Sequence, residues 1–215
     1  MFIGHYAVGL AAKRADPKLP LGLLLAAPQA LDLLWPILVL AGLERVEVAP
    51  GNTAFTPLDF VSYPWSHSLV MAIVWAGVMV MIARFAARTS WRGAAILGAL
   101  VVSHWVLDVA SHRADMPLWP GSDRVGLGLW QSVPATLVVE LAMFAAGVAL
   151  YARATRARDR IGRFGLWGLV GFLLVVYVGN LLGPPPPSGK AVAGAALGLW
   201  LIPLLGWWVE RHRES

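Results

Sequence analysis

Six long apolar runs, separated by short polar breaks, constrain this chain more than any other feature of its sequence. They cover residues 20–43, 67–87, 92–111, 131–152, 164–183 and 191–209. A run of roughly 18 apolar residues is long enough to cross a hydrocarbon core of about 30 Å as a helix. In lipid, a helix also satisfies its own backbone hydrogen bonds. A water-soluble bundle would need polar faces on these helices, and the runs mostly lack them. Only 13% of residues are charged, where a soluble domain carries about a quarter. The expected fold is therefore all-α: a polytopic membrane helix bundle of about six spans. The connections are short, so residues 1–215 read as a single integral membrane domain.

The formal charge of +5 does not indicate nucleic-acid binding, because the basic residues sit in short loops between runs. Lys13, Arg14 and Lys18 precede the first run, and Arg84, Arg88 and Arg92 lie between the second and third. Arg153, Arg156, Arg158, Arg160 and Arg163 lie between the fourth and fifth, and Arg211 and Arg213 follow the sixth. With six alternating spans, all four groups fall on one side. The positive-inside rule places that side, and the C-terminus, in the cytoplasm. The opposite loops carry Trp65, Trp119 and Trp130, suited to an interfacial belt. The expected location is the cytoplasmic (inner) membrane.

The apolar stretch 2–12 has no basic region before it, so it reads as part of the bundle and not as a cleaved leader. A helix from Lys13 back to Met1 rises about 18 Å, past the midplane without crossing. That predicts a short buried N-terminal helix with His5 deep inside. Gly165, Gly168, Gly171, Gly179, Gly183, Gly194 and Gly198 are expected to let helices approach closely. Pro184–Pro187 form a rigid turn between the last two runs.

Ionisable side chains within membrane spans are costly and tend to be functional. Here they are Asp32, His67 at a span edge, His104, Asp108 and Glu140, with His5 in the short helix. His104 and Asp108 are one turn apart and share a face. Such a pair either binds a divalent cation or forms a hydrogen bond that ties two helices together. Asp32 and His67, each taken alone, read as bundle glue and as an interfacial helix-start residue. Taken jointly, His5, Asp32, His67, His104 and Asp108 share one depth, and a cation there would neutralise the carboxylates and give the imidazoles a partner. Glu140 lies at similar depth as a ligand, an outer partner, a proton carrier or a protonated acid bonded to a neighbouring helix. With no cysteine in the chain, metal ligands come from His and carboxylate.

Gly4-His5, Leu31-Asp32, Ser66-His67-Ser68-Leu69, Ser103-His104-Trp105-Val106-Leu107-Asp108 and Pro117-Leu118-Trp119-Pro120 occur in that order. In this ordered set the chain resembles the YdjM-like family of membrane-bound metal-dependent hydrolases, itself thought related to zinc-dependent phospholipase C and the P1-type nucleases. The resemblance implies a divalent metal, most readily Zn2+, and hydrolysis. By the same analogy Asp32, His67, His104 and Asp108 build one metal site, and His5 approaches a neighbouring one.

The leading expectation is a membrane-embedded metal-dependent hydrolase acting on a phosphoester or lipid-like substrate, with Asp32 or Glu140 taking the proton. Arg113 and Arg124, in the outer loop, are candidates for holding an anionic head group. A transporter or metal-ion carrier using the same cluster, and a structural metal-binding membrane protein, are the alternatives.

Overall fold

The computed structural model describes residues 1–215. A short helix α1 (Ile3–Ala12) is followed by six long apolar helices: α2 (Leu21–Leu40), α3 (Leu69–Ala86), α4 (Trp91–Ser111), α5 (Val133–Ala154), α6 (Arg160–Leu182) and α7 (Gly189–Arg211). Most of them begin with a side-chain cap that the sequence supplies directly. Ser68, Ser90, Ser132, Asp159 and Ser188 each accept a backbone N–H from the first turn of the helix they precede.

Burial is inverted relative to a water-soluble protein. Ile73, Val78 and Met81 on α3, Phe164, Trp167 and Val175 on α6, and Leu201 and Leu204 on α7 point outward. His5, His67, His104, Asp108 and Glu140 are buried. Exposed bulky apolar belts around a polar interior suit hydrocarbon, so the chain is a multi-pass membrane protein.

Helix α1 wedges between α2 and α5. A Cβ on Gly9 would lie 2.0 Å from the Leu24 carbonyl oxygen, and one on Gly147 would lie 2.4 Å from that of Ala7. Only glycine permits either approach. The expected glycine packing is not what Gly168, Gly171, Gly179, Gly194 and Gly198 do: no atom lies within 4 Å of the Cβ position at any of them. They face away from the bundle. Small residues mark close packing only on the buried side of a helix, and spacing alone does not say which side that is.

Two departures from regular helix matter for the interior. Helix α2 tightens into a 3-10 turn at Ala27–Gln29, with Pro28 inside it, before resuming at Ala30. The second apolar run does not form one helix from residue 67: Pro64–His67 is a separate helical turn, and extended Ser68 (ψ 151°) breaks the chain before α3.

The loops gather at two ends. At one end, β1 (Arg45–Val48) pairs antiparallel with β2 (Leu58–Ser62), and β3 (Met116–Pro117) with β4 (Arg124–Val125). At the other end, β5 (Arg156–Ala157) pairs with β6 (Arg213–Glu214). There the buried Lys13 ammonium donates to Glu210 Oε1 at 2.5 Å and to the Leu19 carbonyl at 2.8 Å, and Arg92 donates to the Ala15 carbonyl. The basic loops thus share one end of the bundle, as six alternating spans require.

Candidate metal centre

Five side chains from four segments converge inside the bundle. His5 comes from the first turn of α1, Asp32 from α2 just past its 3-10 turn, His67 from the Pro64–His67 turn, and His104 and Asp108 from successive turns of α4. The sequence-predicted set is therefore brought together, in two overlapping groups. His5, His104 and Asp108 form one; Asp32, His67 and His104 form the other; within each group the ligand atoms lie within 4.8 Å of one another.

The geometry centres on His104. Its Nδ1 lies 2.7 Å from the Pro28 carbonyl, so Nδ1 donates there and Nε2 is the atom that faces the cluster. That Nε2 is 3.3 Å from His67 Nε2, 3.0 Å from Asp108 Oδ2 and 3.8 Å from Asp32 Oδ1. His67 Nε2 is in turn 3.3 Å from Asp32 Oδ1 and 3.9 Å from Asp108 Oδ2. Four donors placed tetrahedrally around zinc, at about 2.0–2.1 Å each, are about 3.3–3.4 Å apart. The five separations scatter around that edge length, so the donor set fits a borderline divalent cation in both chemistry and size.

His5 lies beside this group. Its ring stacks on His104 with centroids 3.8 Å apart, and its Nε2 is 3.0 Å from Asp108 Oδ1. The same oxygen pairs with the Met1 amino group, which also lies 3.1 Å from Ser111 Oγ. His5 Nδ1 is buried with no hydrogen-bond partner. The cluster is closed on all sides but one: the Asp32 side chain is 27% exposed, against 4% or less for those of His5, His67, His104 and Asp108.

Glu140 stands apart from these contacts. Its Oε2 accepts the backbone N–H of Phe2 at 2.9 Å and of Gly4 at 3.1 Å, so it caps the start of α1 from a neighbouring helix. Its Oε1 is buried and unpartnered. His112, one turn beyond Asp108, also lies outside the cluster: α4 ends at Ser111, and His112 Nδ1 pairs with Asp115 Oδ1 at 2.9 Å. Tyr63 donates to the same oxygen at 2.9 Å, and Arg113 reaches Asp115 Oδ2 at 3.3 Å. Burial pushes the Asp115 carboxyl up; the His112, Tyr63 and Arg113 interactions more than reverse this and hold it below the ordinary aspartate value. The expected head-group arginines are already engaged. Arg113 pairs with Asp59 at 2.6 Å, and Arg124 donates to the Val61 carbonyl at 2.9 Å, so both tie the β1–β2 hairpin to the loop after α4.

Sequence reasoning missed Glu44. It follows α2, is buried, and accepts from Trp65 N and Ser66 N at 2.8 Å each and from Ser66 Oγ at 2.7 Å. Ser66 Oγ lies 2.6 Å from His67 Nδ1. Burial lifts the Glu44 carboxyl above the ordinary glutamate value, while the Ser66 hydrogen bonds and the nearby His67 draw it down. Only the serine beside His67 could have hinted at this contact.

Comparison with protein-family models, with curated proteins and with solved structures returned no match to the chain. The class of the protein is defined by its architecture: a multi-pass membrane bundle with a buried His/Asp cluster able to hold a metal ion.

Proposed function

We propose that this protein is a metal-dependent hydrolase of the cytoplasmic membrane, acting on a phosphoester of a lipid-like substrate. One observation carries the reading. Two imidazole Nε2 atoms, of His67 and His104, face each other at 3.3 Å between the carboxylates of Asp32 and Asp108. Each nitrogen also lies near a carboxylate oxygen, as in an ordinary hydrogen-bond network, but such a network gives no reason for the two nitrogens to approach each other; a shared cation would draw all four donors to one point. The ordered motifs that resemble the YdjM-like family support the same assignment. Asp32, His67, His104 and Asp108 would hold the metal, with His5 beside them, and Zn2+ suits the donor set best.

A bound zinc would lower the pKa of its water and polarise the scissile phosphoryl group. Asp32 sits at the open edge of the cluster, and its contacts with the imidazoles run through Oδ1. Its Oδ2 would take a proton from the attacking water and pass it to the departing oxygen as the phosphorus–oxygen bond breaks. The His104–Pro28 bond holds one imidazole in place, and burial of the other ligands excludes bulk water. The positive-inside rule puts the basic end in the cytoplasm. The cluster then lies toward the outer leaflet, below the loops with Trp65, Trp119 and Trp130, and a lipid-linked substrate would reach it without leaving the membrane.

Elemental analysis of the purified protein tests the reading first. At least one zinc per chain is expected, lost in His104→Ala and Asp108→Ala. Unchanged metal content in both variants refutes the site. Oriented vesicles supplied with phospholipids or prenyl phosphates test the chemistry. Full metal occupancy without turnover of any phosphoester would replace the hydrolase with a carrier or a structural metal protein.

A further inference from the structure

The chain from Glu44 through Ser66 to His67 has a direction. A carboxylate only accepts hydrogen bonds, and a serine hydroxyl has a single proton to donate. Ser66 Oγ lies 2.7 Å from Glu44 Oε2, so its proton goes to Glu44. At 2.6 Å from His67 Nδ1 the same oxygen must then accept, which puts the imidazole proton on Nδ1. In the neutral ring the lone pair is then on Nε2, the atom that faces His104 Nε2 and Asp32 Oδ1. The Glu44 carboxylate is held in register by the Trp65 and Ser66 amides, so it also fixes the turn that carries His67.

We propose that Glu44 is a positioning residue: through Ser66 it sets the tautomer of His67 and so decides whether that imidazole can ligate a metal. Glu44 touches no other member of the cluster and acts only through the hydroxyl. The inference rests on the metal reading of the site, and its test separates the two.

Glu44→Gln is the informative variant because it keeps the size and reverses the polarity. Its amide oxygen can take the place of Oε1 and accept both backbone N–H groups, which leaves the NH2 facing Ser66. Ser66 must then accept from the glutamine and donate to His67 Nδ1. That moves the imidazole proton to Nε2 and blocks the ligand atom. Loss of an outer partner of this kind typically weakens metal binding about 10–100-fold. Zinc affinity would be measured by chelator competition in detergent. The ring tautomer of His67 would be read from 15N-histidine NMR of the metal-free protein, its signals assigned by their absence in His67→Asn.

The expected result is an affinity loss of that size, with the His67 signals moved to the Nε2–H form. Wild-type affinity or an unchanged tautomer in Glu44→Gln overturns the proposal. If Glu44→Gln does not fold, Ser66→Ala decides: it severs the relay, so wild-type zinc affinity there overturns the proposal equally. A wild-type protein that binds no zinc would overturn the metal reading, and this role with it. Zinc lost in His104→Ala but retained at full affinity in Glu44→Gln would overturn the role of Glu44 alone.

Discussion

Replacing Glu140 by alanine should unpin the short helix that carries His5. The carboxylate is fully buried and accepts two backbone N–H groups, Phe2 at 2.9 Å and Gly4 at 3.1 Å. A hydrogen bond to a charged partner contributes about 1.5–3 kcal/mol, so the two together amount to about 3–6 kcal/mol. Alanine also removes a buried carboxylate whose Oε1 has no partner, which offsets about 1–3 kcal/mol. Taking low with low and high with high, the net cost for Glu140→Ala is about 2–3 kcal/mol. Glu140→Gln keeps a side-chain oxygen to accept both amides and removes the buried charge, so it should stay within about 1 kcal/mol of wild type. Equilibrium unfolding in mixed micelles, followed by far-ultraviolet circular dichroism, measures both. If glutamine costs as much as alanine, or alanine costs under about 1 kcal/mol, the capping argument fails. A Glu140 that carried protons or bound metal would differ in one readout: Glu140→Gln would keep its stability and still lose turnover or metal.

Lys13→Met should destabilise the bundle by about 2–3 kcal/mol, at or below the low end for a broken buried pair, because Glu210 remains 23% exposed; adding Glu210→Leu should recover most of the loss in the same unfolding assay. Gly147→Val should not fold to a native state, since its Cβ would meet the Ala7 carbonyl. Gly171→Ala, with open space around it, should be neutral or gain up to about 1 kcal/mol of helix propensity. In this naturally cysteine-free chain, a cysteine at Arg156 should react with an impermeant maleimide only from the cytoplasmic side, and one at Asp123 only from outside. Outside-only reaction at position 156 would invert the topology.

The spans were legible because hydropathy is a local property that lipid reads directly: each of the six runs became a helix, with ends moved by a few residues where Ser90, Asp159 or Ser188 supplied a cap. The convergence of His5, Asp32, His67, His104 and Asp108 was also accessible, since a buried polar group in hydrocarbon needs a partner and few were on offer. Glu44, Tyr63 and Asp115 were not. They sit in loops, where a polar side chain ordinarily means solvent, and the fold of the loops over the helix ends buries them. The break at Ser68 escaped notice for a related reason. Ser66-His67-Ser68-Leu69 runs straight into an apolar stretch, and nothing in that spacing records that the Ser68 backbone is extended.

The half-length of α1 imposes an order of events during synthesis. Its Phe2 and Gly4 amides find their acceptor only at Glu140, and its closest packing partner on that side is Gly147. Until α5 leaves the ribosome, the helix bearing His5 has unsatisfied amides and can pack only on its α2 side, where Gly9 meets Leu24. At about 5–20 residues per second, the interval between His5 and Glu140 lasts roughly 7–27 s. Asp32, His67, His104 and Asp108 are all made before the cap arrives, so for that period the nascent chain holds an incomplete site. Helix α5, the fourth span, is the part that closes it, which makes completion of the cluster a late step in membrane insertion and not a property of the first three spans.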